Sequence, residues 1–146
     1  MAMDLARYFE RIGFRGTPVP SLEVLRELHA LHPEAIPFEN LSPFLGEPVK
    51  LDVASLEEKL VRGARGGWCF EHNLLFSHML LAIGFQVTRL AARVRWNVAA
   101  DVTTARSHML MLVRIAETDY VADVGFGGLT LKIGRASCRE RVLRLV

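Results

Sequence analysis

Apolar residues in the first part of the chain recur at the three- and four-residue spacing of amphipathic helices. A first helix is predicted from Asp4 to Ile12, and residues 13–20, which hold two glycines and two prolines, end it. Ser21 is a favourable N-cap for a second helix that ends near Pro33. The apolar face of this second helix is formed by four leucines: Leu22, Leu25, Leu28 and Leu31.

Two histidines lie in the C-terminal part of this second predicted helix. His29 and His32 are close to the negative end of the helix dipole, where a partly cationic side chain is favourable. We therefore interpret both as surface histidines.

The chain after the second helix is less regular. Phe38 has an aromatic face to offer a ligand, and Glu39 could pair with a buried cation. On pattern alone, a plain loop with one anchoring aromatic residue is the simpler interpretation. A short helix follows, opened by Asp52 or Ser55 and running to Val61.

The stretch that organises the chain is Arg65–Asn73, with the letters RGGWCFEHN. Its two glycines allow a tight turn, and an apolar, helix-compatible run follows from Phe70 to Phe85. Cys69 therefore lies where a loop enters a helix, at the positive end of the helix dipole, which favours the thiolate. Most free cysteines are small buried hydrophobic residues instead, so this stretch alone leaves both interpretations open.

The helix after Cys69 is apolar around most of its circumference and ends at Gly84, so it is predicted to be the central buried helix. His72 falls in its first turn and cannot easily reach back across the helix to the sulfur. We interpret His72 as a residue of the polar face.

From Phe85 onward the apolar pattern becomes that of strands. Apolar residues alternate with arginines in a first strand exposed on one side: Val87, Leu90, Val94 and Trp96. Residues 97–107 are small and polar and form a connection. Two further strands are predicted at His108–Ile115 and Tyr120–Val124, joined by a turn at Glu117–Asp119. The predicted order is a helical half followed by an antiparallel β half.

The end of the chain departs from this pattern. Residues 132–146 show no clear period and resemble the conceptual translation of a sequencing adapter, so we expect a non-native tail. An ordinary basic terminal segment is the alternative. The tail holds one acidic residue, Glu140, and five basic ones: Lys132, Arg135, Arg139, Arg141 and Arg144. Without it the net charge is −2 instead of +2, so the basic pI does not indicate binding to nucleic acid or to an anionic membrane.

Excluding the tail also removes Cys138 and leaves Cys69 as the only cysteine. An intramolecular disulfide and a cysteine-rich zinc site are then excluded, and we expect no metal. No apolar run is long enough to cross a bilayer, and the first residues lack the pattern of a signal peptide. We expect a cytoplasmic protein.

A thiolate nucleophile needs a base to hold its proton and a third group to orient that base. His108 opens one predicted strand and Asp123 closes the next, and antiparallel neighbours joined by a tight turn bring these ends together. The two residues can thus be cross-strand neighbours with Cys69 packed against them. Taken singly, a strand-end histidine and a turn aspartate before Gly125 have common structural explanations, but three compatible placements together favour a catalytic triad.

Four motifs, in this chain order, resemble the signature of the arylamine N-acetyltransferases: Pro37–Leu41, residues 65–73, His108–Leu110 and Asp123–Gly127. The resemblance covers residues 1–131. It implies an α+β fold of the papain-like cysteine-enzyme superfamily, with a helical bundle in residues 1–84 and a partial antiparallel β-barrel in residues 85–131.

The same resemblance implies a Cys69–His108–Asp123 triad that transfers an acetyl group from acetyl-CoA to an arylamine or arylhydrazine. It implies a supporting ion pair between Glu39 and Arg65. The resemblance further assigns Phe38 and Phe126 to the aromatic acceptor's pocket, and Thr104 and Gly127 to the neighbourhood of CoA.

Family members continue past the glycine motif, so this chain is expected to lack a C-terminal domain after Leu131, with activity impaired as a result. A cysteine hydrolase or transglutaminase-like enzyme is an alternative, because the same triad cleaves amides when water is the acceptor. A non-catalytic fragment that acts as a binding module is the third interpretation. The sequence does not indicate the oligomeric state.

Overall fold

Helices precede an antiparallel sheet in the computed structural model, which describes residues 4–95, 97–99, 101–127, 133–135 and 143–144. For these residues the predicted order, a helical half followed by an antiparallel β half, is confirmed.

The first two helices begin at residues that cap them. Helix α1 spans Leu5–Ile12 and α2 spans Leu22–Ala35. The side chain of Ser21 accepts a hydrogen bond from the backbone N–H of Val24 at 3.2 Å, as its N-cap role requires. The predicted end near Pro33 is two residues early. A proline in the last turn removes only one helical donor, and the helix runs on to Ala35.

Shorter helical turns lead to the central helix. Helix α3 spans Leu41–Phe44, and α4 spans Val53–Leu56 and continues as a π-helical turn over Glu57–Arg62. Asp52 is the N-cap of α4, since its side chain accepts from the N–H of Ser55 at 3.0 Å. Helix α5 spans Cys69–Ile83.

The sheet is built from antiparallel neighbours in the order β4-β3-β2-β1-β5. Strand β1 is Gln86–Ala92, β2 is His108–Ile115 and β3 is Thr118–Ala122. Two short strands lie at the edges: β4 is Gly134–Arg135 and β5 is Leu143–Arg144.

The third strand lies two residues earlier than the predicted Tyr120–Val124. The turn before it is tighter than expected because Ala116 adopts a positive φ of 52°, so Thr118 already pairs with β2. Val94 follows β1 instead of belonging to it, and Trp96 lies outside the described residues.

Helix α5 is the central buried helix, as predicted. Side chains from the helices and from the sheet pack in one apolar cluster around it, and its fully buried members include Leu25, Leu28, Leu75, Phe76, Met79, Leu80, Met111 and Val113. Fully burying each of these contributes on the order of 1.5–3 kcal/mol. The division into units at residues 1–84 and 85–131 stays a prediction.

Three histidines interpreted as surface or polar-face residues are buried, so those interpretations are wrong. His29 is 5% exposed, His32 0% and His72 1%. Each ring finds hydrogen-bond partners inside the protein, which removes the main penalty for burying it.

Of residues 132–146, only 133–135 and 143–144 are described. They supply the two edge strands, and the side chain of Ile133 packs against the core. That residues 132–146 are non-native stays a prediction. Among the helices of the described residues, none has the length and apolar character needed to cross a membrane.

Candidate active site

Cys69 is the first residue of α5, and the loop before it is fixed by Glu71. The Glu71 carboxylate turns back and accepts from the backbone N–H of Trp68 at 3.1 Å. A side chain on Gly67 would press against that carboxylate, because a Cβ there would lie 2.8 Å from Glu71 Oε2. Residue 67 is therefore a glycine because a side chain there would collide with Glu71.

The three residues of the predicted triad meet between α5 and the sheet. The Nε2 atom of His108 lies 2.6 Å from Oδ2 of Asp123, with side chains 6% and 1% exposed. Sγ of Cys69 lies 3.8 Å from the carbonyl oxygen of Ser107, directly before His108. Because Asp123 occupies Nε2 of His108, Nδ1 is the ring nitrogen of His108 that can interact with Sγ of Cys69.

This arrangement changes the proton affinity of the imidazole. Burial alone would lower the pKa of His108, but hydrogen bonds to the Asp123 carboxylate and the Cys69 sulfur outweigh burial and raise this pKa to about 9. Burial has the opposite effect on the carboxylate and would raise the pKa of Asp123, but the hydrogen bond from His108 lowers this pKa overall. The geometry therefore favours an imidazolium beside the Asp123 carboxylate.

Asn73 holds the aspartate in place, a role that sequence reasoning missed. Its amide nitrogen donates to Oδ1 of Asp123 at 2.9 Å and to the carbonyl of Met109 at 2.7 Å. Its amide oxygen accepts from the backbone N–H of Val124 at 3.0 Å. Asn73 lies four residues after Cys69, so both point from one face of α5 toward the sheet, and this spacing was the available signal.

The chain after Asp123 packs directly on the start of α5. A Cβ on Gly125 would lie 2.8 Å from the carbonyl oxygen of Cys69, and the N–H of Gly125 donates to Asp123 Oδ1 at 2.9 Å. From the other side, the Nε2 atom of buried His29 lies 3.0 Å from the carbonyl oxygen of Asp123. The carboxylate and its own backbone are thus both held.

The structure contains the Glu39–Arg65 ion pair and adds Lys59, which lies 3.9 Å from Oε1 of Glu39 and pairs more closely with Glu71. Arg65 donates to Oε1 of Glu39 at 2.8 Å. Although burial would raise the pKa of Glu39, hydrogen bonds from the N–H of Leu41 and from Arg65 lower it overall. Lys59, which sequence reasoning missed, lies 2.7 Å from Oε1 of Glu71, whose side chain is 2% exposed.

One aromatic residue contacts the triad, and a second lies next to the segment that carries it. Phe126 stands edge-on to the His108 ring, with centroids 5.2 Å apart and planes at 90°. Phe38 is 49% exposed and stacks on His72 at a centroid distance of 6.2 Å. A Cβ on Gly127 would lie 3.8 Å from the Phe38 ring, so Phe38 adjoins the segment that carries Phe126.

The residues assigned to CoA lie at the edges of this region. Thr104 donates from Oγ1 to the carbonyl of Val94 at 3.0 Å and accepts from the side chain of Arg93 at its own carbonyl, which ties the connection to the end of β1. Gly127 has a φ of +79°, a conformation that L side chains rarely adopt.

A surface cavity of about 630 Å³ lies along the π-helical turn, lined by residues that include Lys59 and Arg65, and no triad residue borders it. Within the described part of the chain, no group of three or more histidine, cysteine or acidic side chains is arranged to hold a metal ion.

Comparison with known proteins identifies the family. A family model described as N-acetyltransferase matches residues 21–137. The curated arylamine N-acetyltransferase of Mycobacterium tuberculosis is 47% identical over 134 residues, which is 89% of this chain and 47% of that protein. The chain belongs to the arylamine N-acetyltransferase family.

Solved structures agree with this assignment. The arylamine N-acetyltransferase from Salmonella typhimurium superposes with a TM-score of 0.88 at 42% identity, over 95% of this chain and 51% of that one. A Mycobacterium marinum arylamine N-acetyltransferase in complex with CoA gives a TM-score of 0.82 at 44% identity, over 87% of this chain and 48% of that one. The chain spans about half the length of the curated relatives it matches.

Proposed function

We propose that this chain carries the nucleophilic half of an arylamine N-acetyltransferase and that Cys69 accepts an acetyl group from acetyl-CoA. The observation that carries the proposal is the 2.6 Å contact between His108 and Asp123 beside the cysteine that begins α5. This arrangement supplies a nucleophile, a proton carrier and an orienting carboxylate at one place.

The proposed reaction has two half-reactions. In the first, the Cys69 thiolate attacks the thioester carbonyl, and the N–H groups of the first turn of α5, which have no helical acceptor, stabilise the oxyanion. The carbon–sulfur bond to CoA then breaks, and the leaving thiolate takes a proton from the His108 imidazolium. The product is acetyl-Cys69 beside a neutral histidine.

In the second half-reaction, an arylamine or arylhydrazine attacks acetyl-Cys69. His108 accepts the proton of the attacking amine, the carbon–sulfur bond breaks, and the cysteine leaves as a thiolate. Asp123 keeps Nε2 of His108 occupied throughout, so that Nδ1 exchanges the protons. The order is ping-pong, because CoA leaves before the amine reacts.

We assign the flanking residues by their surroundings. Phe126 stands beside His108, and Phe38 stacks on His72 next to the segment that carries Phe126, which suits a planar arylamine. Thr104 and Gly127 are proposed near CoA, the ligand present in the structure of one relative. Glu39 and Arg65 support the loop before Cys69. We further propose that the sheet is the start of a β-barrel and that the fold is related to papain-like cysteine enzymes.

The test is a two-stage experiment with the full chain carrying Cys138→Ser, so that Cys69 is the one reactive thiol. Acetyl-CoA is added first, excess donor is removed, and aniline is then added. We expect one acetyl group on the protein after the first stage and one equivalent of acetanilide after the second. Release of acetate at the same rate with and without aniline would contradict the transferase and favour the hydrolase.

A further inference from the structure

A buried chain of hydrogen bonds, separate from the triad, joins three helices to the loop that carries Phe38. The hydroxyl of Tyr8 lies 2.8 Å from Nδ1 of His32, and Nε2 of His32 lies 3.1 Å from Nδ1 of His72. The chain ends at the carbonyl of Pro37, 3.2 Å from Nε2 of His72. Its three side chains are at most 1% exposed, and no step of the proposed reaction uses them.

The donors and acceptors of this chain can be ordered from one end. The Pro37 carbonyl only accepts, so Nε2 of His72 donates to it. Burial lowers the pKa values of His72 and His32, so both rings are neutral. Nδ1 of His72 must then accept from Nε2 of His32, and Nδ1 of His32 must accept from the Tyr8 hydroxyl. One arrangement of protons satisfies every member.

The end of this chain holds two parts of the site at once. The Pro37 carbonyl that accepts from His72 also accepts from the N–H of Gly67 at 3.2 Å, two residues before Cys69. The ring of His72 stacks against Phe38 with an angle of 12° between the planes. His72 therefore contacts the ring of Phe38. Through the Pro37 carbonyl, it is also connected to the loop that leads to Cys69.

This contact region leaves little space for adjustment. A Cβ on Gly66 would lie 2.0 Å from the Pro37 carbonyl oxygen, and the N–H of Glu39 donates to the Gly67 carbonyl at 2.9 Å. A displacement of Pro37 would therefore move Phe38 relative to the loop before Cys69, which the Glu71 carboxylate holds separately through the N–H of Trp68. The position of Phe38 relative to the sulfur depends on the ring of His72.

We propose that Tyr8, His32 and His72 are positioning residues that set Phe38 against the cysteine and so give Cys69 its preference for aromatic partners. This inference rests on the proposed function, since it takes Phe38 as part of the acceptor pocket. It adds a specificity determinant that begins in α1, at Tyr8.

The experiment compares two alkylating probes on the full chain with Cys138→Ser. N-phenyliodoacetamide presents an aromatic ring next to the reactive carbon, and iodoacetamide lacks the ring; in both, the thiolate displaces iodide. The ratio of the two rates at Cys69, divided by the same ratio for glutathione, measures the aromatic preference without acetyl-CoA. We expect this preference to exceed one in the unchanged chain.

Two substitutions at residue 72 separate the functions of the ring. His72→Phe keeps a ring under Phe38 but removes both hydrogen bonds, and His72→Gln keeps an N–H for Pro37 but removes the ring. We expect His72→Phe to lower the preference about tenfold, since small displacements of reacting groups have effects of this order. The iodoacetamide rate should stay within about twofold. His72→Gln should retain more of the preference, and His78→Phe on the same helix, outside the chain of hydrogen bonds, should retain all of it.

Tyr8→Phe is the second variant. It removes one oxygen, at the end of the hydrogen-bond chain that is farthest from Pro37, and preserves packing. It should lower the preference about threefold, a smaller loss than at residue 72.

An unchanged preference in His72→Phe and Tyr8→Phe would overturn the proposal, as would a value of one in the unchanged chain. A parallel fall of both rates would also overturn it, since that indicates a general structural defect. Failure of Cys69 to take an acetyl group, with the preference responding as expected, would count against the proposed function alone.

Discussion

The Nε2 atom of His108 lies 2.6 Å from Oδ2 of Asp123, and this contact determines which ring nitrogen faces Cys69. Asp123 is in turn held by Asn73 through its other oxygen at 2.9 Å. The catalytic geometry thus depends on a carboxylate that is itself bonded on both oxygens, and the orientation of the imidazole follows from the fold.

Asp123→Asn should uncouple the imidazole from its orienting charge. Burial then lowers the pKa of His108 without opposition from this carboxylate, so the pKa should fall below the value of about 9 in the unchanged chain. Acetylation of Cys69 should slow by about 10²–10⁴-fold. NMR titration of the His108 ring and intact mass spectrometry report the two effects. Asp119→Asn, a half-exposed strand position paired with Arg114, is the control and should change neither.

Stability should reach a maximum near neutral pH and fall on both sides. The pKa of His108 is raised above the ordinary 6.5, so its contribution is complete below pH 6.5 and is lost as the pH rises through about 9. Burial lowers the pKa values of His29, His32 and His72, so the unfolded chain binds protons first and stability also falls below pH 6.5.

Urea unfolding between pH 5 and pH 10 measures this profile, and each titrating group contributes at most about 1.4 kcal/mol per pH unit. His108→Ala should flatten the alkaline side and leave the acid side in place. A stability that still falls between pH 7 and pH 9 in His108→Ala would assign the alkaline loss to other groups.

Asn73→Ala should destabilise the protein more than the loss of its volume explains. The substitution leaves the Met109 carbonyl and the Val124 N–H without partners in a buried position, and each such group costs about 1–3 kcal/mol. Urea unfolding measures the effect. Ser77→Ala on the same helix is the comparison, since its hydroxyl donates to the Leu74 carbonyl within the helix and accepts from the partly exposed Arg89; equal losses in the two variants would contradict the account.

Gly125→Ala should disturb the site through space alone. The added Cβ would lie 2.8 Å from the Cys69 carbonyl oxygen and 2.9 Å from its Cα, so the segment after Asp123 must move away from α5. We expect a loss of about 1–3 kcal/mol and a slower reaction at Cys69. Gly134→Ala, where nothing lies within 4 Å of the new atom, is the matched control for unfolding and for reactivity.

The two ion pairs near the nucleophile should differ in strength. Lys59→Met leaves the Glu71 carboxylate, which is 2% exposed, without its cation and should cost about 3 kcal/mol. Arg65 is 43% exposed in its pair with Glu39, so Arg65→Met should cost less than about 1 kcal/mol. Urea unfolding of both variants compares them. The opposite order would show that the exposed pair carries the support of the loop.

Sequence reasoning predicted the elements with strong local signals. The leucine spacing of α2, the cap at Ser21 and the apolar run of α5 depend on neighbouring residues and were recovered, and of the two residues considered as the start of α4, Asp52 is the cap. The approach of His108 to Asp123 followed from the hairpin, because its register is set by local pairing.

Most of the features that the sequence did not reveal depend on contacts between residues that are far apart in the sequence. The tight turn at Ala116 has no glycine or asparagine to mark its positive φ, so β3 was predicted too late. His32 and His72 are buried because they find each other across 40 positions, and no local pattern carries that information. Lys59 meets Glu71 for the same reason: the pairing is created when the π-helical turn packs against α5.

The most direct test of the central claim, that Cys69 works with His108 as an acyl acceptor, is the intact mass of the chain after brief exposure to acetyl-CoA. The account predicts the mass of one acetyl group on the Cys138→Ser chain, none on the same chain with Cys69→Ala, and a greatly slowed gain with His108→Ala. An acetyl group that persists in Cys69→Ala, or one that forms equally fast in His108→Ala, would contradict it.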